Sequence, residues 1–168
     1  NAYTHGMNSV MRDASAFDLE ENIRLTKEVV DYFHPLGIPV EAELGHVGNA
    51  SVGSISEAGT DTDPGESLTV PEEVARFVEI TDVDALAVAI GTAHGVYQKT
   101  PTLRIDRLDE ITAVCDRPLV LHGGSGIPDD QLLVCPQRQA FERDRPRPDL
   151  ETDIVDILAA LVVDDDAQ

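Results

Sequence analysis

Apolar and polar residues along the chain follow two periods in turn, and this predicts alternating strands and helices. Short apolar runs are typical of buried strands, and apolar residues at helical spacing follow each run. The predicted strands are 9–12, 38–44, 85–90 and 118–121. Asp18, Thr69 and Asp106 are expected to open the helices between them, with Asp18 and Thr69 as caps. Gly37 is expected to end the first helix.

This order of elements indicates a parallel sheet with right-handed crossovers, and therefore an α/β fold. The run 85–90 is apolar throughout, as expected of a parallel strand that is covered on both faces. An open doubly wound sheet and a (β/α)8 barrel both satisfy the pattern. Both folds place ligands at the carboxyl ends of the strands, and the polar and glycine residues of this chain follow its predicted strands.

The pattern changes after Leu133, which predicts a division of the chain into two parts. Residues 1–133 are expected to form the α/β part. Residues 134–168 are expected to form a divergent segment rich in Arg and Pro, followed by an amphipathic helix and an acidic tail.

The charge balance excludes some partners. The 168 residues include 32 acidic and 12 basic side chains, a net charge of −20. Such a surface repels nucleic acid and anionic lipid, and it repels itself unless salt screens the charge. The composition therefore predicts a protein of high-salt conditions. Two cysteines at no metal-binding spacing, with no apolar run of membrane length, predict a reduced cytoplasmic location and no membrane partner.

His94 and His122 each follow a predicted buried strand and precede a glycine. Side chains at the ends of neighbouring strands converge, so the two imidazoles could share a metal, with zinc favoured by nitrogen ligands. The spacing equally allows two histidines that are bonded to loop backbone.

A second pattern is a glycine-rich turn that starts at His122 and reads HGGSG. Glycines let backbone N–H groups approach an anion closely, and Ser125 adds a hydroxyl. This predicts a phosphate cradle. A plain glycine-rich turn is the alternative.

Acidic residues in the second predicted strand form a third pattern. Glu41 and Glu43 lie two residues apart and so share a face. A buried carboxylate needs a partner, and a metal or an arginine would serve. Asp13 could join Glu43 at a metal, and His46 could also reach it. A solvated edge strand is the alternative.

Six segments together resemble the class II, zinc-dependent fructose-bisphosphate and ketose-bisphosphate aldolases. They are NSVMRDAS (8–15), EENI (20–23), TKEV (26–29), VEAELG (40–45), VDALAVAIGTAHGVY (83–97) and LVLHGGSGIP (119–128). The resemblance implies a (β/α)8 barrel, of which this chain supplies strands 4 to 7. It implies reversible zinc-dependent cleavage of fructose 1,6-bisphosphate to dihydroxyacetone phosphate and glyceraldehyde 3-phosphate in glycolysis and gluconeogenesis. It also implies a homo-oligomer for the full-length enzyme.

The same resemblance implies roles for metal ligands. His94 and His122 match two of three histidine ligands of zinc. Asp13 and Glu43 match carboxylates that hold a second metal in some members.

It also implies a substrate site. Gly95, Gly123, Gly124 and Ser125 match positions that bind the substrate phosphate, and Lys99 could add charge there.

The resemblance further implies that the acid/base Asp and the third zinc His precede residue 1. The chain alone is therefore expected to be an incomplete, poorly stable barrel without turnover. The segment after Leu133 resembles nothing in the family, and a frame-shifted origin is one hypothesis for it. A non-catalytic remnant, a tagatose-bisphosphate aldolase and a metal-free phosphate-binding barrel are the alternatives.

Overall fold

The computed structural model describes residues 8–49, 68–94, 100–124, 127–132 and 135. Its strands are β1 (Val10–Arg12), β2 (Val40–Leu44), β3 (Gly48–Asn49), β4 (Ala85–Val88), β5 (Ala93–His94) and β6 (Leu119–Val120). Its helices are α1 (Leu19–Phe33), α2 (Pro71–Thr81), α3 (Ile105–Val114) and α4 (Asp129–Leu132). Apart from residue 135, the predicted divergent segment 134–168 lies outside these ranges.

Four strands form one sheet in the order β1-β2-β4-β6, and every neighbouring pair is parallel. Helices alternate with these strands, so the predicted α/β class is confirmed. The arrangement is that of consecutive units of a (β/α)8 barrel. A second sheet pairs β3 with β5, also in parallel, beyond the carboxyl ends of β2 and β4.

One face of the main sheet is apolar because the helices cover it. The core includes Phe77 of α2 and Ile111 of α3, which are fully buried. The sheet contributes a set of apolar residues that are no more than 5% exposed: Val40, Ala42, Leu44, Leu86, Val88 and Leu119. These residues alternate along the strands with those of the opposite face, where Glu41 pairs with Ala85 and Glu43 with Ala87. The polar chemistry of the strands is therefore confined to the face that points away from the helices.

The predicted boundaries of α1 are confirmed. The Asp18 carboxylate accepts a hydrogen bond from the Glu21 backbone N–H at 3.0 Å, as an N-cap does. A short 3-10 turn, His34–Leu36, extends the helix, and Gly37 ends it at a φ of 70°. Among the described residues, no helix is both long and apolar enough to cross a bilayer.

The expectation that Thr69 caps α2 is wrong. The residue before the helix is Val70, and no side chain caps it. The Thr69 hydroxyl instead donates to the Leu44 carbonyl and accepts from the Ala89 N–H at 2.8 Å. It satisfies backbone groups where β2 and β4 end, and so ties the two strands together at their carboxyl ends. Asp106 is also not the first residue of α3, which begins at Ile105.

Candidate active site

Glu41 and Glu43 lie on the polar face of β2. This strand sits between β1 and β4, so the solvated edge strand that the sequence left open is wrong. The Glu43 side chain is 3% exposed and that of Glu41 is 11% exposed. Carboxylates buried to this extent require partners.

The partner of both carboxylates is His122, which follows β6. Its Nδ1 lies 3.0 Å from Glu43 Oε2, and its Nε2 lies 2.9 Å from Glu41 Oε1. The sequence predicted that these glutamates need a partner but proposed a metal or an arginine. The local pattern gave no signal for the imidazole, which is 79 to 81 positions away along the chain, and only the family resemblance had placed His122 and Glu43 at a metal site.

A small residue on the intervening strand allows this contact. Ala87 of β4 pairs with Glu43 on one side and with Val120 on the other. Residues paired in this way point to the same face of the sheet. His122 lies two positions beyond Val120 and so shares that face, and its ring must extend across β4 to contact the glutamates of β2. The small side chain at Ala87, which lies between β2 and β6 in the register, is compatible with that contact.

The two carboxylates raise the pKa of His122 to about 9. The hydrogen bond to Glu41 contributes most and the one to Glu43 follows, while burial acts in the opposite direction. Both ring nitrogens donate in this state, so the imidazole is a cation held between two anions.

A further carboxylate adjoins this cluster through Ser15. The Ser15 hydroxyl lies 2.8 Å from Asp13 Oδ1 and 3.1 Å from Glu43 Oε1, so its single proton is shared between two carboxylates. Partial burial raises the pKa of Asp13, but hydrogen bonds from Ser15 and the charges of His46 and His122 outweigh it and leave the pKa below its usual value. Asp13 and Glu43 therefore lie close together, and their joint role as metal ligands stays a prediction.

Helix α1 fixes the position of Glu43 from the opposite face of the sheet. The Asn22 side-chain amide donates to the Glu43 carbonyl at 3.0 Å, and the Thr26 hydroxyl donates to Asn22 Oδ1 at 3.0 Å. Asn22 and Thr26 are both at most 1% exposed. Sequence reasoning assigned them no role, although both belong to segments that carry the family resemblance.

The glycine turn lies next to the cluster. Gly123 has a φ of 67°, and a Cβ there would lie 2.5 Å from the Ala93 carbonyl oxygen. At Gly124 a Cβ would meet no described residue within 4 Å, so this part of the structure leaves space beside the backbone. The buried Thr92 hydroxyl, in the turn between β4 and β5, has no hydrogen-bond partner in the part of the chain described. An open turn near an unsatisfied hydroxyl suits a polar ligand.

The structure leaves part of the predicted site outside the described residues. Gly95, Lys99 and Ser125 fall in undescribed positions, and only the backbone of His94 is described, in β5 opposite Asn49. The predicted meeting of the two imidazoles therefore stays a prediction.

The described side chains carry atoms that bind zinc, but they are not arranged as a complete metal site. Imidazole nitrogen and carboxylate oxygen are both zinc ligands. No group of three or more His, Cys, Asp or Glu side chains within the described ranges is arranged around one ion. Both nitrogens of His122 face carboxylates. One of them must turn from its carboxylate before a metal can bind.

Known proteins share this arrangement of elements. The family model for class II fructose-bisphosphate aldolase matches residues 1–140. The chain is 60% identical over 132 residues to Escherichia coli K12 YdjI, and the match covers 79% of this chain and 45% of YdjI. The crystal structure of the YdjI aldolase aligns with a TM-score of 0.65 at 51% identity, over 80% of this chain and 43% of that one.

A more distant structure agrees. Fructose-bisphosphate aldolase (Fba) from Campylobacter jejuni aligns with a TM-score of 0.58 at 28% identity, over 81% of this chain and 42% of that one. The chain thus spans less than half the length of these relatives. The resemblance inferred from the motifs is confirmed, and the chain belongs to the class II fructose-bisphosphate aldolase family.

Proposed function

We propose that this chain carries the zinc and phosphate portion of an aldolase active site that reversibly cleaves fructose 1,6-bisphosphate to dihydroxyacetone phosphate and glyceraldehyde 3-phosphate. The observation that carries the proposal is the cluster of His122 with Glu41 and Glu43 on the polar face of a parallel sheet. In barrels of this type, side chains at the carboxyl ends of the strands perform the chemistry. Family membership makes aldol cleavage the chemistry to expect.

Four side chains are the proposed metal ligands. His122 offers one ring nitrogen, and Glu43 and Asp13 offer carboxylate oxygens. His94 is included because it matches the family motif and directly follows Ala93, whose backbone adjoins Gly123. When bound, zinc acts as a Lewis acid that polarises the ketone of the substrate. His122 would give up the proton on the nitrogen that turns to the metal, while Ser15 keeps Glu43 and Asp13 adjacent.

The phosphate of the substrate is proposed to bind at the glycine turn. Gly123 provides the turn, and among the described residues Gly124 presents backbone to open space, where N–H groups can approach an oxyanion. Gly95, Ser125 and Lys99 are proposed to complete this subsite, as their match to the family motif implies.

The charge of the chain supports a small phosphorylated sugar as ligand rather than a macromolecular anion. A net charge of −20 opposes nucleic acid and anionic lipid. A cytoplasmic location and a homo-oligomeric full-length enzyme are part of the same proposal.

Zinc titration of the purified 168-residue chain tests the proposal. We expect one equivalent of zinc, and binding of dihydroxyacetone phosphate that strengthens when zinc is present. His122→Ala and His94→Ala should each abolish the stoichiometric zinc. Glu110→Gln, an exposed change on α3, should leave it unaffected.

Each alternative gives a different result. A chain that binds no zinc at micromolar concentration supports a non-catalytic remnant and overturns the proposal. Phosphate binding that persists in a His94→Ala, His122→Ala double variant supports a metal-free phosphate-binding barrel. Tighter zinc-dependent binding of tagatose 1,6-bisphosphate than of fructose 1,6-bisphosphate would transfer the assignment to a tagatose-bisphosphate aldolase.

A further inference from the structure

We propose that Glu41 is a positioning residue that selects which nitrogen of His122 meets the metal. In this proposal Glu41 retains the Nε2–H of the ring, and Nδ1 turns to a metal on the side of Glu43 and Asp13. The inference rests on the proposed function, because it concerns the same zinc site.

The two carboxylates that flank His122 have different surroundings. Glu43 Oε1 lies 3.1 Å from the Ser15 hydroxyl and accepts from the Val47 N–H at 3.2 Å, while its Oε2 faces the ring. The Glu41 side chain makes one hydrogen bond within the described part of the chain, the one to His122 Nε2. Glu43 is thus part of a wider polar cluster, whereas the Glu41 carboxylate binds the imidazole ring of His122.

The depth of the two glutamates in the sheet also differs. Glu43 lies two residues nearer the carboxyl end of β2, which is the end where barrels bind their ligands. Glu41 lies deeper, level with Met11 and Ala85. A metal that enters with substrate reaches Glu43 and the Nδ1 side of the ring first.

Negative charge is concentrated on the same side. Arg12 pairs with Ala42 at the end of β1, and the next residue, Asp13, adjoins Glu43 through the Ser15 hydroxyl. The Nδ1 side of His122 therefore faces Glu43 with Asp13 adjacent, while its Nε2 lies 2.9 Å from Glu41 Oε1. A divalent cation is more strongly stabilised by two adjacent carboxylates than by one.

These observations assign different roles to the two glutamates. The Nε2–H of His122 donates to Glu41, which fixes the tautomer and the plane of the ring. Carboxylates commonly orient metal-binding histidines in this way, and their loss weakens metal affinity about 10- to 100-fold. Glu41 acts through His122 and does not itself touch the substrate.

The first test measures zinc affinity by competition with a chelator. Glu41→Ala is expected to weaken binding by about 10- to 100-fold. Glu41→Gln should lose less than about tenfold, because its amide oxygen still accepts the Nε2–H bond. Glu79→Gln, an exposed change on α2, should match the parent chain.

The second test reads the bound nitrogen directly. The chain is labelled with 15N-histidine and loaded with 113Cd, and the signals of His122 are identified by their absence in His122→Asn. We expect coupling of cadmium to Nδ1 of His122 in the parent chain. Coupling to Nε2 would overturn the proposal. This measurement uses the parent chain, so it remains decisive even if a Glu41 variant fails to fold.

The outcomes separate this inference from the function on which it rests. A parent chain that takes up neither zinc nor cadmium rejects the proposed zinc site and this inference with it. Zinc binding that is unchanged in Glu41→Ala, with coupling still at Nδ1, rejects only the role of Glu41. Weaker binding in Glu41→Ala that is restored in Glu41→Gln, with Nδ1 coupling in the parent, supports it.

Discussion

At the scale of single residues, Gly123 is required both by its conformation and by the space around it. Its φ of 67° disfavours any side chain, and a Cβ would press on the Ala93 carbonyl at 2.5 Å. The conformation alone costs a non-glycine residue about 1–2 kcal/mol, and backbone on both sides of the clash must move. We therefore predict that Gly123→Ala lowers the free energy of unfolding by at least about 1 kcal/mol, measured by urea titration with circular dichroism.

The neighbouring glycine supplies the control. Gly124 lacks a positive φ, and a Cβ there would meet nothing within 4 Å among the residues that the structure describes. Gly124→Ala should therefore change stability by less than about 0.5 kcal/mol. If the open space holds the substrate phosphate, the same variant weakens phosphate binding. Equal losses of stability at both positions would contradict this assignment of the turn.

At the scale of elements, Asn22 attaches helix α1 to strand β2 beneath the site. The Val10 N–H donates to the Pro39 carbonyl. Hydrogen bonds of a parallel ladder repeat every two residues, so a longer β1 would supply an N–H to the Glu43 carbonyl as well. Because β1 ends at Arg12, the Asn22 amide takes that place. Asn22→Ala leaves a buried carbonyl unsatisfied, and should lower the free energy of unfolding by about 1–3 kcal/mol.

Chemical denaturation measures this change in the free energy of unfolding, with Glu28→Gln as the control for Asn22→Ala. Glu28 is exposed on the same helix and pairs with Arg24, so its loss should cost less than about 0.5 kcal/mol. Asn22→Ala should also weaken zinc binding, because the Glu43 carboxylate loses its fixed backbone. Unchanged stability in Asn22→Ala would show that the hydrogen bond to Glu43 is not a structural anchor.

The elements themselves were largely predictable from the sequence, whereas their contacts were not. Local periodicity and the Asp18 cap locate α1, and the apolar run that contains β4 identifies a buried strand. The strand ends sooner than that run, at Val88, because beyond it the backbone bonds to Thr69 rather than to a neighbouring strand. The strands β3 and β5 are two residues long and leave no periodic signal. The His122 cluster joins β2 to the end of β6, and such distant pairing is invisible to local pattern.

At the scale of the whole molecule, excess negative charge is the main global property. The arginines of α1 and α3 pair with acids on their own helices, as Arg24 does with Glu21 and Glu28 and as Arg107 does with Glu110. Exposed pairs of this kind contribute little to stability. They do not change the net charge of −20, because acidic residues outnumber basic ones by 32 to 12. The folded chain must therefore hold together against its own repulsion.

Salt should relieve this repulsion, and we predict a steep rise of thermal stability with KCl. The screening length falls from about 10 Å at 0.1 M to about 3 Å at 1 M, so repulsion between neighbouring carboxylates is largely removed over that range. For a chain of this size, about 1 kcal/mol of stabilisation raises the Tm by about 2–4 °C, and several kcal/mol should give a rise of about 10 °C between 0.1 and 2 M KCl. Differential scanning fluorimetry in KCl, with equimolar sucrose as an uncharged control, measures it. A Tm that is flat in KCl, or that rises equally in sucrose, would mean that charge repulsion does not limit the fold and that high salt is not its working condition.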